Sequence, residues 1–157
     1  MPRQRPTLIG LVDAANARRP WSHNGWYQRW VLRQVPRRSG LVVADVGCGT
    51  GELLELLARR CERVLGIDQD AEVVAAARTA LASDDARVEV VEADLADLGE
   101  HGTFDVITAV AVLHHVELGE ALDLLLSALR PGGRLVVVGC YAAASTADHM
   151  VGGLRRR

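Results

Sequence analysis

The stretch "ADVGCGTGELLELL", residues 44–57, decides the fold. Three glycines, Gly47, Gly49 and Gly51, stand between an apolar, β-branched run and a run with helical spacing. A chain concentrates glycine in this way where its backbone must turn sharply or let a ligand come very close. The run "LVVADVG" before the loop reads as a short buried strand, and residues 52–60 after it read as a helix. In open α/β sheets a loop that joins a strand to a helix in this way lies at the carboxyl edge, where ligands bind.

Outward from the loop the same alternation continues. "RVLGID" is a second strand, and Asp70 caps a helix running through about residue 82. "RVEVVEAD" is a third strand, with Val88, Val90 and Val91 set among acids, and "FDVITAVAVL" is a fourth. Residues 117–129 form a leucine-rich helix stopped by "RPGG", and "RLVVVGCY" is a fifth strand. Upstream, in "WSHNGWYQRWVLRQVP", Asn24 caps a helix to about residue 35, and Pro36 follows its end. Trp26, Trp30 and Gln34 share one face of that helix. Strands alternating with helices predict an α/β fold, and right-handed crossovers make it a doubly wound, mainly parallel five-stranded sheet. Its segments are a basic arm (residues 1–20, with three prolines), a ligand-binding domain (21–141) and a short tail (142–157).

Composition removes whole classes of chemistry. The 157 residues are enough for one domain with its own core. No apolar run approaches the roughly 20 residues of a membrane span, and the N-terminus reads poorly as a signal peptide. All 18 basic residues are arginine. A P-loop sets a lysine against phosphate and a pyridoxal enzyme forms a lysine Schiff base, so neither operates here. Cys48, Cys61 and Cys140 are widely spaced, which argues against a disulfide framework or a zinc site and fits a reducing cytoplasm. Cys48 lies within the glycine loop, where a small side chain fitting a tight turn is favoured over a nucleophile. Residues 1–40 hold eight arginines against one acid, Asp13, whereas the remaining ten arginines face 19 acids. A basic segment docked on an acidic body is favoured over capture of an anionic partner such as a nucleic acid.

A dinucleotide is the first ligand to consider, but its GxGxxG fingerprint is absent. Glu52 stands where the third glycine would fall, and a carboxylate in the first helical turn would repel a pyrophosphate. A ligand without phosphates suits the loop better. "DVGCGTGE" resembles the first motif of the class I S-adenosylmethionine-dependent methyltransferases, and the rest follows in order. "GID" ends the second strand, "EADL" the third, "FDVITAVAVLHHV" spans the fourth and "LRPGGRLVVVG" enters the fifth.

The resemblance implies a Rossmann-like methyltransferase fold of strand order 3-2-1-4-5, without the usual last two strands, and S-adenosyl-L-methionine as cofactor. Gly47, Cys48, Gly49 and Gly51 then admit the amino-acid part of the cofactor, and Asp45 helps to hold its ammonium group. Asp68, followed by Gln69, takes both ribose hydroxyls; a carboxylate can accept from two neighbouring hydroxyls. Asp94, beside Leu95, holds the adenine amino group, and backbone at Val110 and Ala111 lines the methionine end. Methyl transfer is an in-line displacement, helped by alignment in a water-poor site. Should the acceptor arrive protonated, His115, His114 and His23 are the candidate bases, in that order. The aromatic residues between Trp21 and Trp30 serve as a lid, as core, or as both.

The expected substrate is a small molecule, with no membrane or metal partner and nucleic acid disfavoured. A non-catalytic cofactor-binding partner domain is the alternative, and an NAD-dependent dehydrogenase a weaker one. The fifth strand is expected to be an edge, masked by the tail or by a second copy in a homodimer.

Overall fold

The computed structural model describes residues 23–81, 86–113 and 117–139, the side chains of 23–26 excepted. Expectations for the arm, Trp21, the Trp26 side chain, the three histidine side chains, Cys140 and the tail fall outside these residues. The elements, in chain order, are α1 (His23–Gln34), β1 (Val42–Val46), α2 (Glu52–Ala58), β2 (Arg63–Asp68), α3 (Ala71–Ala80) and β3 (Val88–Glu92). A 3-10 helix (Leu95–His101), β4 (Phe104–Val110), α4 (Leu118–Ser127) and β5 (Leu129–Val138) follow.

The five strands form one sheet of order β3-β2-β1-β4-β5, and every pairing is parallel. A parallel sheet is covered on both faces, so each strand divides its side chains between two cores. On β1, Val43 joins one core, while Ala44 and Val46 join the other. The first core takes Val31 and Leu32 of α1 and Val35 just after it, Leu53, Leu54 and Leu57 of α2, and Val74 and Ala77 of α3. The second takes Leu98 of the 3-10 helix and Ala121 and Leu125 of α4. Phe104, the one phenylalanine in the chain, is 1% exposed in this second core. The order makes β1 the point where the chain turns from one half of the sheet to the other, which places a crevice beyond β1 and β4.

Several boundaries depart from the sequence reading. Asn24 lies inside α1 rather than capping it. Helix α2 ends at Ala58, where the Arg60 and Cys61 N–H groups both return to the Leu57 carbonyl. Asp70 caps α3 as expected, its Oδ1 accepting from the N–H groups of Glu72 (2.9 Å) and Val73 (3.2 Å). Glu117 proves to be the cap of α4, accepting from the Glu120 N–H at 2.7 Å. "RPGG" does not precede the fifth strand but lies within it. β5 starts at Leu129, and the irregularity between the Phe104 and Val106 pairings takes up the proline and the glycines. The 3-10 helix had no counterpart in the sequence reading.

At the amino end of the sheet Asp105 is nearly buried and ties three segments together. It accepts from Arg38 (2.6 Å), Arg130 (2.8 Å) and the Val42 N–H (2.9 Å). Burial alone would raise its pKa; the Val42 N–H and the two guanidinium groups overcome that and hold it below the usual carboxylate range.

Candidate functional site

At the carboxyl end of the sheet the glycine loop is stitched to the neighbouring strand. The N–H groups of Gly47 and Cys48 both donate to the Ile67 carbonyl, at 2.8 and 3.0 Å, and the Gly51 N–H returns to the Cys48 carbonyl at 3.1 Å. Gly47 has φ +69°, and a Cβ there would lie 2.6 Å from Cγ2 of Val112. No other residue type fits that position without displacing the loop after β4. Gly51 is different: it turns the chain into α2 at φ +86° and abuts Leu81 and Ala77. The structure gives Gly51 a packing role beside α3, between Thr50 and Glu52, which line the smaller cavity described below. Gly49, by contrast, has nothing within 4 Å of where a Cβ would stand, so its face is open.

Asp68 closes β2 and braces the loop. Its Oδ2 accepts from the Gly49 N–H at 3.0 Å and its Oδ1 from the Asp70 N–H at 3.1 Å, while its carbonyl accepts from Ala93 at 3.1 Å. Each carboxylate oxygen has a second lone pair, so both can still accept from a ligand. Asp68 and Gln69 line a cleft of about 480 Å³ that also meets Asp94, Leu95, Val110 and Ala111. Asp94 holds two posts: it lines the cleft, and its Oδ1 caps the 3-10 helix through the Ala96 N–H at 3.1 Å. Ala111 leaves β4 with φ +56°, the one described non-glycine residue with positive φ, and its N–H donates to the Val138 carbonyl at 2.7 Å. Strain of this kind re-aims the backbone after β4 toward the cleft.

A second cavity of about 220 Å³ adjoins the first across Gly47, Val110 and Ala111. Asp45, Cys48, Thr50 and Glu52 line it, with Tyr27 and Gln28 of α1 as its outer wall. Asp45 is 3% exposed and pairs in register with Thr108 of β4, whose hydroxyl lies 2.6 Å from its Oδ1. Its pKa is pushed up to about 7 by burial; the Thr108 hydrogen bond opposes the rise, and the nearby Asp68 charge adds to it. The surroundings of Cys48 disfavour its thiolate. Burial, then the charges of Asp45 and Asp68, push its thiol up to about 12. Its Sγ folds back over Gly66 of β2, where a Cβ would lie 3.0 Å from it and 2.5 Å from Cδ1 of Leu54.

The structure thus brings Asp45, Gly47, Cys48, Asp68, Gln69, Asp94, Leu95, Val110 and Ala111 around two joined cavities, with Gly49 in their bracing. His23 opens α1, and its side chain, like His114 and His115, lies outside the described residues. Sequence reasoning missed Thr108, Gly66 and Val112. Thr108 is visible as a polar residue in the apolar run of β4, but its pairing with Asp45, like the contacts of Gly66 and Val112, shows only in the folded sheet.

A family model described as a methyltransferase domain matches residues 43–133, which span all five strands except the last residues of β5 and the first of β1. The chain belongs to the methyltransferase-domain family. An uncharacterized methyltransferase of Mycobacterium tuberculosis is 37% identical to this methyltransferase domain over 123 residues, covering 76% of this chain and 60% of that protein. A trans-aconitate 2-methyltransferase of Azoarcus is 38% identical, covering 69% of this chain and 43% of that one. Among solved structures, an S-adenosylmethionine-dependent methyltransferase from Mesorhizobium loti superposes with a TM-score of 0.59 at 30% identity, over 70% of this chain and 52% of that one. The chain therefore spans less than two thirds of the length of the curated relatives it matches.

Proposed function

We propose that this domain binds S-adenosyl-L-methionine across the two cavities and serves methyl transfer to a small-molecule acceptor. The observation that carries the reading is Asp68. A carboxylate at the end of β2, fixed by two backbone N–H groups and facing the larger cleft, suits the paired hydroxyls of a ribose. The rest of the donor set fits. Asp94 and Leu95 line the same cleft and suit an adenine, and the open face of Gly49 leaves room for close approach. The acidic smaller cavity suits an ammonium group, since an opposite charge relieves the strain of a buried carboxylate such as Asp45. The larger cleft contains three carboxylates among its lining residues and no basic side chain, which suits a nucleoside better than a pyrophosphate.

When bound, the cofactor supplies a methyl group on a positively charged sulfur. The chain's residues anchor the two ends and exclude water along the apolar side formed by Val46, Ile67 and Leu113. His115, two residues beyond Leu113 in sequence, is the first candidate for holding an acceptor's proton, before His114 and His23. The names of the relatives, a trans-aconitate 2-methyltransferase among them, support a small-molecule acceptor.

Isothermal titration with S-adenosylhomocysteine, followed by label transfer from methyl-labelled cofactor to a panel of carboxylic acids, phenols and amines, tests the reading. Stoichiometric binding with label transfer is expected. Binding without transfer to any acceptor favours the non-catalytic alternative, and binding of NAD in its place favours the dehydrogenase.

A further inference from the structure

Helix α1 reaches the smaller cavity with two side chains, and one of them is tied to the glycine-loop helix. Nε2 of Gln28 donates to Oε2 of Glu52 at 2.9 Å, and both residues line the cavity beside Tyr27. The C-terminal end of α1 is anchored: Val31 and, just past the helix, Val35 are buried, and Arg60 donates to the Leu32 carbonyl at 3.1 Å. Its Tyr27–Gln28 end therefore stands at a fixed place over the cavity mouth. An ionised carboxylate only accepts, so the amide nitrogen of Gln28 must face Glu52. That nitrogen carries a second hydrogen, and Glu52 keeps a second oxygen.

The pair thus offers a donor and an acceptor side by side, with Asp45 as a further acceptor at the cavity floor. A group that carries an ammonium and a carboxylate on one carbon matches this pattern. We propose that Gln28 and Glu52 recognise the amino-acid end of the bound ligand as a zwitterion, Glu52 accepting from its ammonium and Gln28 donating to its carboxylate. This rests on the cofactor reading above and assigns to it two residues of this chain that lie outside the glycine motif. It also explains why a glutamate is useful at the position that rules out a pyrophosphate. The carboxylate that repels phosphates attracts the ammonium.

The test compares two ligands that share the adenosine part. S-adenosylhomocysteine carries the amino-acid end, and 5′-methylthioadenosine lacks it. The double variant Gln28→Glu with Glu52→Gln keeps the net charge and can keep the hydrogen bond between α1 and α2, but exchanges donor and acceptor. Titration calorimetry is expected to show S-adenosylhomocysteine binding weakened about 10-fold or more, each exchanged contact to a charged group counting for about that factor. 5′-Methylthioadenosine binding should not change. Unaltered constants for both ligands, or an equal loss for both, overturn the assignment. Binding of neither ligand by the wild-type chain overturns the cofactor reading and this one with it. Glu52→Gln alone provides a check on folding: its thermal midpoint should stay near that of the wild type, because Glu52 is exposed on the surface of α2.

Discussion

Replacing Asp45 by asparagine should make the domain more stable and a poorer binder of a cationic ligand, and both effects should depend on pH. The carboxyl is 3% exposed between β1 and β4, and its pKa stands at about 7 against 3.8 for the free side chain. Desolvation is the main cause, and the Thr108 hydroxyl offsets only part of it. The folded state therefore keeps a proton that the unfolded chain gives up. As pH rises through the window from about 4 to about 7, the wild type loses stability, and above it the loss is complete. At 1.36 kcal/mol per pH unit, the ionised carboxylate costs about 4 kcal/mol at pH 8. Asparagine has nearly the same shape and does not ionise. Its amide N–H₂ needs an acceptor in place of water, which offsets part of the gain, so a net increase of about 2 kcal/mol at pH 8 is expected.

Urea unfolding of both proteins at pH 5 and pH 8 measures this. The difference between variant and wild type should grow with pH, since other groups titrate alike in both. Ligand affinity should run the other way. A cationic ligand end needs Asp45 ionised, so wild-type affinity should rise by up to about tenfold per pH unit below the pKa and level off above it. The variant should bind weakly with a flat profile. A stability difference that is the same at both pH values would refute the buried-carboxylate account. Stronger binding by the variant at pH 8 would refute the role given to its charge.

Asp68→Ala should weaken S-adenosylhomocysteine binding about 10- to 100-fold in calorimetry, as hydrogen bonds to a charged acceptor are lost. Gly47→Ala should lower stability by about 1–3 kcal/mol in urea, because the new Cβ meets Val112 at 2.6 Å and the backbone has φ +69°. Asp105→Ala should cost about 1–3 kcal/mol at pH 7, with its arginine partners partly in water. That difference should vanish on acidification, since a carboxyl with a lowered pKa contributes above its unfolded value and stops contributing once protonated.

The sheet was legible because a parallel sheet buries its strands on both faces, and continuous runs such as "LVVADVG" and "FDVITAVAVL" carry that requirement openly. The strand order was expected from the resemblance to the methyltransferase fold, and the sheet has it. Legibility failed where a single residue served two structures. Pro131 and Gly132 are turn residues by composition, yet β5 carries them as an irregularity at its start, since Leu129 still pairs with Phe104. The 3-10 helix is too short to carry an apolar period that announces it; Leu98 is buried in the second core and Leu95 packs against it.

Within the site, the acids at strand ends were singled out by their match to the family's motifs, and they lie at the carboxyl edge where a doubly wound sheet presents side chains to a ligand. The partnerships of Thr108, Gln28 and Glu52 were not readable, because they join residues 63 and 24 positions apart in sequence. The same separation sets apart two kinds of site residue. Asp68 and the glycine loop are fixed by local hydrogen bonds within the sheet edge, at Ile67, Gly49 and Asp70. The outer wall of the smaller cavity comes from α1, which is joined to the sheet edge through α2. In the proposed function, adenosine recognition would therefore belong to the hydrogen-bonded sheet edge. Recognition of the amino-acid end would then depend on the docking of a helix, so any change that loosens α1 should weaken S-adenosylhomocysteine binding while leaving that of 5′-methylthioadenosine unchanged.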